Sequence, residues 1–305
     1  MNVVRGMLAE IRLIPMSLLL LTVILGGFFA VGPSVNWSVM GLVLLNAFLF
    51  LYTAHLNDTF FDIKKGEYEE NRRLHGVRLS SEAYLPRWGF GAEIPNAPLL
   101  PRNYYLIGVV VCSVLGTLVM IYVSMIIGWM YAVLAVSGLL LALTYSAGLD
   151  KVPALGDTMW EIGVIAALWC GYYSQKMIID SMIVMLSIPL FLALVTVKSL
   201  DGWYDILVDD KNDKMTLPVF LYRKGLSLTA IRDICYLPIY IALIILYLQS
   251  PPMLYLGLTG FTVLTAISHL KWRKTDMEAR KGIVLFGAAI IVFIVSSLLT
   301  MILTL

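Results

Sequence analysis

Nine continuous apolar blocks divide this 305-residue chain, at 13–31, 37–57, 104–124, 126–146, 158–177, 180–200, 233–250, 253–270 and 283–304. A helix crosses a hydrocarbon core of roughly 30 Å with roughly 20 apolar residues, and each block is near that length. The apolar side chains follow one another without alternation, which points to helices; barrel strands alternate lipid-facing and lumen-facing residues. The first block is too long for a secretory signal and lacks an A-x-A cleavage site. The chain is therefore expected to be all-α: nine transmembrane helices in one bundle around a central cavity, forming a single domain over 1–305.

Composition narrows the function. Only 14% of residues are charged and 60% are hydrophobic, against about 25% charged in an average soluble domain. An ordinary soluble enzyme and a disordered chain are both excluded. A net charge of +2 with no repeated basic stripe excludes a nucleic-acid binder working by charge. Cys112, Cys170 and Cys235 stand far apart in apolar runs and form neither a metal motif nor a disulfide framework.

Basic residues fall in alternate connections. They lie at Arg5 and Arg12, between 64 and 102, at Lys151, between 198 and 232, and between 271 and 281, whereas the intervening connections hold only Lys176. The positive-inside rule then makes this an integral protein of the cell membrane with a cytoplasmic N-terminus and a C-terminus outside. Two of the inner connections, 58–103 and 201–232, are long, whereas outer ones such as Gly32-Pro33-Ser34-Val35 are very short. Polar mass gathered at one membrane face predicts chemistry there.

Each long connection opens with carboxylates at four-residue spacing: Asp58 and Asp62, then Asp201, Asp205 and Asp209. That spacing puts them on one face of a continuing helix, where like charges repel. A cation offsets the repulsion. Hard oxygen donors suit Mg²⁺, which combines one or two carboxylates with substrate phosphate oxygens. Arg12, Lys64, Arg72, Lys151 and Lys214 are placed to take remaining phosphate charge.

Two aspartate-rich motifs on a nine-helix chain resemble the UbiA superfamily of intramembrane prenyltransferases, over nearly the whole length. Against the family's N-D-x-x-D-x-x-x-D, Asp58 stands at the Asn, Thr59 and Asp62 at the first two acids and Gly66 at the third, with Glu67, Glu69 or Glu70 as substitutes for it. The run from Asp58 to Gly66 is closer to the N-T-Y-Y-D-x-x-K-G of the menaquinone-forming branch. The second motif, followed in the family by G-K-x-T-L-P-V, appears as Asp201, Asp205 and Asp209 and then Asp213-Lys214-Met215-Thr216-Leu217-Pro218-Val219, with Asp213 in place of the Gly. Pro15-Met16-Ser17-Leu18-Leu19, Tyr145-Ser146-Ala147-Gly148 with Gly156 and Glu161, and Gly171-Tyr172-Tyr173-Ser174-Gln175 resemble further runs of that branch, in the same order.

The resemblance implies transfer of an isoprenyl group from an allylic diphosphate, such as geranylgeranyl diphosphate, to a small acceptor at the bilayer. It implies Mg²⁺ held by Asp58, Asp62, Asp201 and Asp205, and diphosphate held by Arg12, Lys64, Arg72 and Lys214. Asp209 and Lys151 are the candidate catalytic residues, and Tyr145 is the candidate acceptor contact. An aromatic naphthoate-type acceptor is expected, with geranylgeranylglyceryl phosphate as the alternative. Other branches carry N-R-P-x-R-P after the first motif, where this chain has Asn71-Arg72-Arg73-Leu74-His75-Gly76. The Pro- and aromatic-rich stretch from Glu82 to Pro101 reads as an insertion placed to cover the site. His55, His75 and His269 read as packing or surface residues. The rival from another class is a secondary transporter or ion channel, whose carboxylates would stand in mid-membrane.

Overall fold

A computed structural model gives the structure of residues 13–65, 100–146, 148, 151–152, 155–204, 206–211, 213–249 and 255–271. Eight of the nine blocks appear as helices among these residues: α1 (Leu13–Val31), α2 (Trp37–Lys65), α3 (Arg102–Ile127), α4 (Met130–Ser146), α5 (Leu155–Lys176), α6 (Ser181–Tyr204), α9 (Leu228–Gln249) and α10 (Tyr255–Lys271). The ninth block, 283–304, lies outside the described residues. Two short helices that the sequence did not announce, α7 (Ile206–Lys211) and α8 (Leu217–Arg223), occupy the connection between α6 and α9. No strand occurs among the described residues.

Four of these helices, α2, α3, α6 and α9, are long and apolar enough to cross a bilayer, and shorter apolar helices run over Met16–Val31, Met130–Leu141 and Leu258–Leu270. The lipid-facing side is plain on α3. Ile107, Val110, Val114, Leu118, Ile121 and Met125 are all exposed and recur every three or four residues, while Gly116, Met120, Val123 and Ile127 are buried on the other side. Exposed Trp37 and Trp129 stand at the starts of α2 and α4, the depth at which aromatic anchors meet the interface.

Close helix crossings rest on small residues, as expected where lipid tails are as apolar as any side chain and packing drives association. A methyl group added at Gly26 of α1 would run into the Leu168 carbonyl of α5, and one added at Gly171 of α5 would run into the Val23 carbonyl of α1. Gly116 of α3 gives room in the same way for the Phe50 ring of α2. Asn46 of α2 is buried and donates Nδ2 to the Gly116 carbonyl at 2.8 Å, while its Oδ1 accepts from the Tyr131 hydroxyl of α4 at 2.8 Å.

Cross-links between helices sort the bundle into two ends. At one, Gln175 in the last turn of α5 accepts at Oε1 from the Asn36 backbone N–H, just ahead of α2, at 2.7 Å. Asp180, ahead of α6, accepts from Lys176 Nζ at 2.6 Å and from the Tyr172 hydroxyl at 2.7 Å. At the other, Asn57 donates to the Leu143 carbonyl of α4 at 3.2 Å, and Trp203 Nε1 donates to the Leu228 carbonyl at the start of α9 at 2.8 Å. The ends of α2, α4 and α6 and the starts of α5 and α9 therefore share one end of the bundle. This is the common face that the charge pattern required.

The Lys176 and Tyr172 hydrogen bonds, in that order, hold the Asp180 carboxyl down at about 2, against an ordinary 3.8. A depressed folded-state pKa contributes stability above the unfolded value and loses it as pH falls through the folded value. Melting of wild type and Asp180→Asn in detergent should therefore differ in favour of wild type at pH 5, and the difference should vanish between 3.8 and about 2. A difference independent of pH would overturn this account of the lock.

Candidate active site

α2 continues for two turns past its apolar block and carries the first motif on helix, as the spacing required. Asp58 and Asp62 are half-buried on one face, and Thr59 is buried at 2% exposure. Lys64 is about 200° around the helix from Asp62 at roughly 100° per residue, exposed, with Nζ 5.6 Å from the Phe61 ring centre. The structure thus does not bring Lys64 to the carboxylate face. Arg102, at the start of α3, lies over the Phe60 ring at 5.2 Å.

The second motif begins in the last turn of α6, places Asp209 in α7 and ends in the first turn of α8. Asp201 sits in the last turn of α6 and pairs with Lys198 at 3.6 Å. A methyl group at Gly202 would press on the Thr216 side chain, so the glycine lets the T-L-P-V run lie against α6. Thr216 caps α8 by accepting from the Val219 N–H at 3.4 Å, with Pro218 in the first turn where no donor is missed. The Lys214 N–H donates to the Asp209 carbonyl at 2.9 Å, which closes the turn. Asp209 and Lys214 are both half-buried.

The departure at Asp213 has a physical account. Its φ is 55°, the left-handed region that favours glycine. Among other residues Asp and Asn enter it most readily. Its carboxylate accepts from Arg223 Nη2 at 3.3 Å, and Asp210 accepts from Arg223 Nε at 2.6 Å. These bonds, Asp210 first, push the Arg223 guanidinium further up. Asp213→Gly should therefore be nearly neutral in thermal stability, within about 0.5 kcal/mol, while Asp213→Val should cost about 1–2 kcal/mol. Equal melting of the two variants would refute the conformational account.

Of the remaining candidates, Lys151 is exposed in the connection after α4. Tyr145 lies in the last turn of α4. Arg12, Arg72, Asp205 and residues 82–99 of the insertion lie outside the described residues. Glu161 is fully buried near the start of α5, at the motif-bearing end. His55 is buried on α2.

The Gly171–Gln175 run is at the opposite end from both motifs. Its glycine serves the α1–α5 crossing, and its Tyr172 and Gln175 tie the short connections there. These contacts are structural.

A polar network at α9 and α10 was missed in the sequence. Arg232 is buried and donates Nε to Asp233 Oδ1 at 3.0 Å, with Nη2 on the same oxygen. His269 Nε2 reaches that oxygen at 3.1 Å, and His269 Nδ1 lies 2.7 Å from the Tyr240 hydroxyl. The Tyr236 ring stacks on the imidazole with centres 4.1 Å apart. The available signal was an acid and two tyrosines at 233, 236 and 240, one face of a helix.

Among the described residues no three His, Cys, Asp or Glu side chains converge as a ready-made metal cage. Asp58 and Asp62, one turn apart on α2, offer a pair of hard oxygen donors, which suits an ion that needs one or two carboxylates and takes the rest from phosphate and water.

The whole arrangement is similar to solved structures. A digeranylgeranylglyceryl phosphate synthase superposes with a TM-score of 0.67 at 14% identity, over 99% of this chain and 99% of that one. A UbiA homolog from Archaeoglobus fulgidus, solved with bound Cd²⁺, superposes with a TM-score of 0.62 at 12% identity, over 93% of this chain and 99% of that one. The bundle has the UbiA-type fold. No family model matches the sequence, and no curated protein matches it either. In this UbiA-type bundle the carboxylates of α2 and α6 lie at helix ends, not in mid-span as in the transporter alternative.

Proposed function

We propose that this chain is a Mg²⁺-dependent intramembrane prenyltransferase, moving an isoprenyl group from an allylic diphosphate to a small acceptor at the cytoplasmic membrane face. The observation that carries this is the delivery of Asp58 and Asp62 on α2, and of Asp201 and Asp209 around the end of α6, to one end of a UbiA-type bundle. Diphosphate is a poor leaving group until its charge is neutralised. Asp58, Asp62, Asp201 and Asp205 would hold Mg²⁺, which supplies Lewis-acid charge stabilisation to the departing diphosphate. Lys214, Arg12 and Arg72 are assigned to its oxygens. Lys64 is assigned there too, although its helix position turns it away from the carboxylate face. Asp209 and Lys151 keep their proposed part in the reaction.

For the acceptor, an aromatic ring remains the first reading, on Thr59, the Lys64-Lys65-Gly66 run and Tyr145. The structural role of Gly171–Gln175 removes one support from it. A glyceryl phosphate is the second reading, favoured by the likeness to the synthase named above across 99% of the chain. The test offers the purified protein geranylgeranyl diphosphate and Mg²⁺ with 1,4-dihydroxy-2-naphthoate or with geranylgeranylglyceryl phosphate, and identifies products by mass. Prenylated naphthoate is expected. Product from the glyceryl phosphate alone would replace the acceptor and keep the reaction, whereas no transfer and no diphosphate consumption would sink the proposal.

A further inference from the structure

Hydrogen bonds line the seam between α9 and α10 along its length. Far from the motif end it is neutral: the Tyr247 hydroxyl lies 3.2 Å from Thr259 Oγ1 and 3.4 Å from Thr262 Oγ1. Such bonds are ordinary glue between membrane helices. Towards the motif end the seam changes character, with Arg232, Asp233 and His269 brought together inside or at the edge of the spans. Ionisable groups there are costly and rarely serve as glue alone.

The donor pattern selects one neutral tautomer of the imidazole. Asp233 Oδ1, receiving two donors from the Arg232 guanidinium, is a carboxylate oxygen and only accepts. In the neutral imidazole Nε2 carries the proton directed at Asp233, and Nδ1 then accepts from the Tyr240 O–H. Stacking on Tyr236 holds the ring in this orientation, and the Tyr236 hydroxyl is itself bonded to Ser268 at 2.9 Å. The result is an ordered line, Tyr240 to His269 to Asp233. It runs from inside the span to a carboxylate whose side chain is 42% exposed near the motif-bearing end of α9. Tyr240 stands seven residues further along α9 than Asp233, roughly 10 Å deeper.

We propose that this line is a proton relay that takes the proton the acceptor loses on prenylation; the proposal rests on the prenyl-transfer reading. The allylic C–O bond breaks and the diphosphate leaves with its electron pair. The acceptor's oxygen or ring carbon forms the new bond to the allylic carbon, and its O–H or C–H bond breaks. That proton passes to the Tyr240 oxygen as the Tyr240 proton moves to His269 Nδ1. The imidazolium so formed is held by the Asp233 carboxylate. Tyr240 is the group that meets the acceptor, and His269 and Asp233 are positioning residues behind it.

The test uses the full chain in lipid nanodiscs with Mg²⁺, geranylgeranyl diphosphate and whichever acceptor the wild type prenylates. It measures prenylated product and released diphosphate separately. Tyr240→Phe should lower kcat for transfer by about 100-fold or more. The KM for the prenyl diphosphate should be unchanged, and diphosphate release into water should continue, so the ratio of release to transfer rises. His269→Gln should raise that ratio too. Tyr247→Phe, on the neutral part of the same seam, should leave it unchanged. A Tyr240→Phe enzyme with wild-type kcat would overturn the relay. So would release and transfer falling together in step with melting temperature in both Tyr240→Phe and Tyr247→Phe, which is the signature of glue alone. A wild-type protein inert with every acceptor would overturn the prenyl-transfer reading and the relay with it.

Discussion

Asp62→Asn is expected to lower prenyl transfer by about 10³-fold or more at saturating Mg²⁺, with the bundle still folded in detergent. Asp62 stands at the best-matched acidic position of the first motif, one turn from Asp58 on the same half-buried face. Metal support for a departing diphosphate is worth several kcal/mol, and each 1.36 kcal/mol is a factor of about ten in rate. Stability should move the other way. Two like charges at i,i+4 repel by about 0.2–0.5 kcal/mol, and the amide removes that term. Product formation and thermal unfolding, measured on one preparation, separate the two effects. Near-normal turnover would take Asp62 out of the metal assignment. A collapse of folding would show that its charge is structural. Asp205→Asn is expected to lose transfer in the same way.

Much of this architecture was legible because a bilayer leaves few options. Block length dictated the helices, and continuous apolarity excluded strands. The Asp58–Asp62 spacing announced that α2 would run on past its apolar block, and it does so to Lys65. The long connection after α6 was read as a loop because α7 and α8 have 6 and 7 residues, too few for periodicity to register. Their signal was local: Thr216 as a cap and Pro218 in the first turn of α8. Asp213 read as a lost glycine until its φ showed that an Asp fills the same left-handed position.

The site was less legible than the fold. Carboxylates at helix ends were found by repeated spacing. The Asp233–His269–Tyr240 line was not, because its members come from two helices and a single histidine in an apolar run carries no periodic signal. Arg232 was absorbed into the topology rule, which explains any basic residue near a span without asking what it touches. Lys64 was drawn to the site by adjacency in sequence, whereas helix geometry turns it away.

Gly171→Val is expected to be the most destabilising substitution among the described glycines. The α1–α5 crossing is built on reciprocal glycines, Gly26 under Leu168 and Tyr172, Gly171 under Val23. At Gly171 the obstacle to an added carbon is the Val23 backbone itself, which no rotamer change can clear. The helices must then part. Forcing carbon into a packed contact ordinarily costs about 1–3 kcal/mol. Here separation would also open contacts along a crossing that includes buried Val23, Leu168 and Tyr172, so the upper part of that range applies. Gly163, on the same helix, has open space where a methyl would go, and Gly163→Ala should be neutral or slightly stabilising through helix propensity. Comparing the two variants in one detergent isolates the crossing from glycine's intrinsic effect. The motif end lies at the far side of the bundle, so whatever fraction of Gly171→Val remains folded should show wild-type KM for the prenyl diphosphate. Equal melting of Gly171→Val and Gly163→Ala would mean that α1 and α5 are not in contact at these glycines. A raised KM in the folded fraction would instead give the Gly171–Gln175 run the direct role in substrate binding that its position argues against.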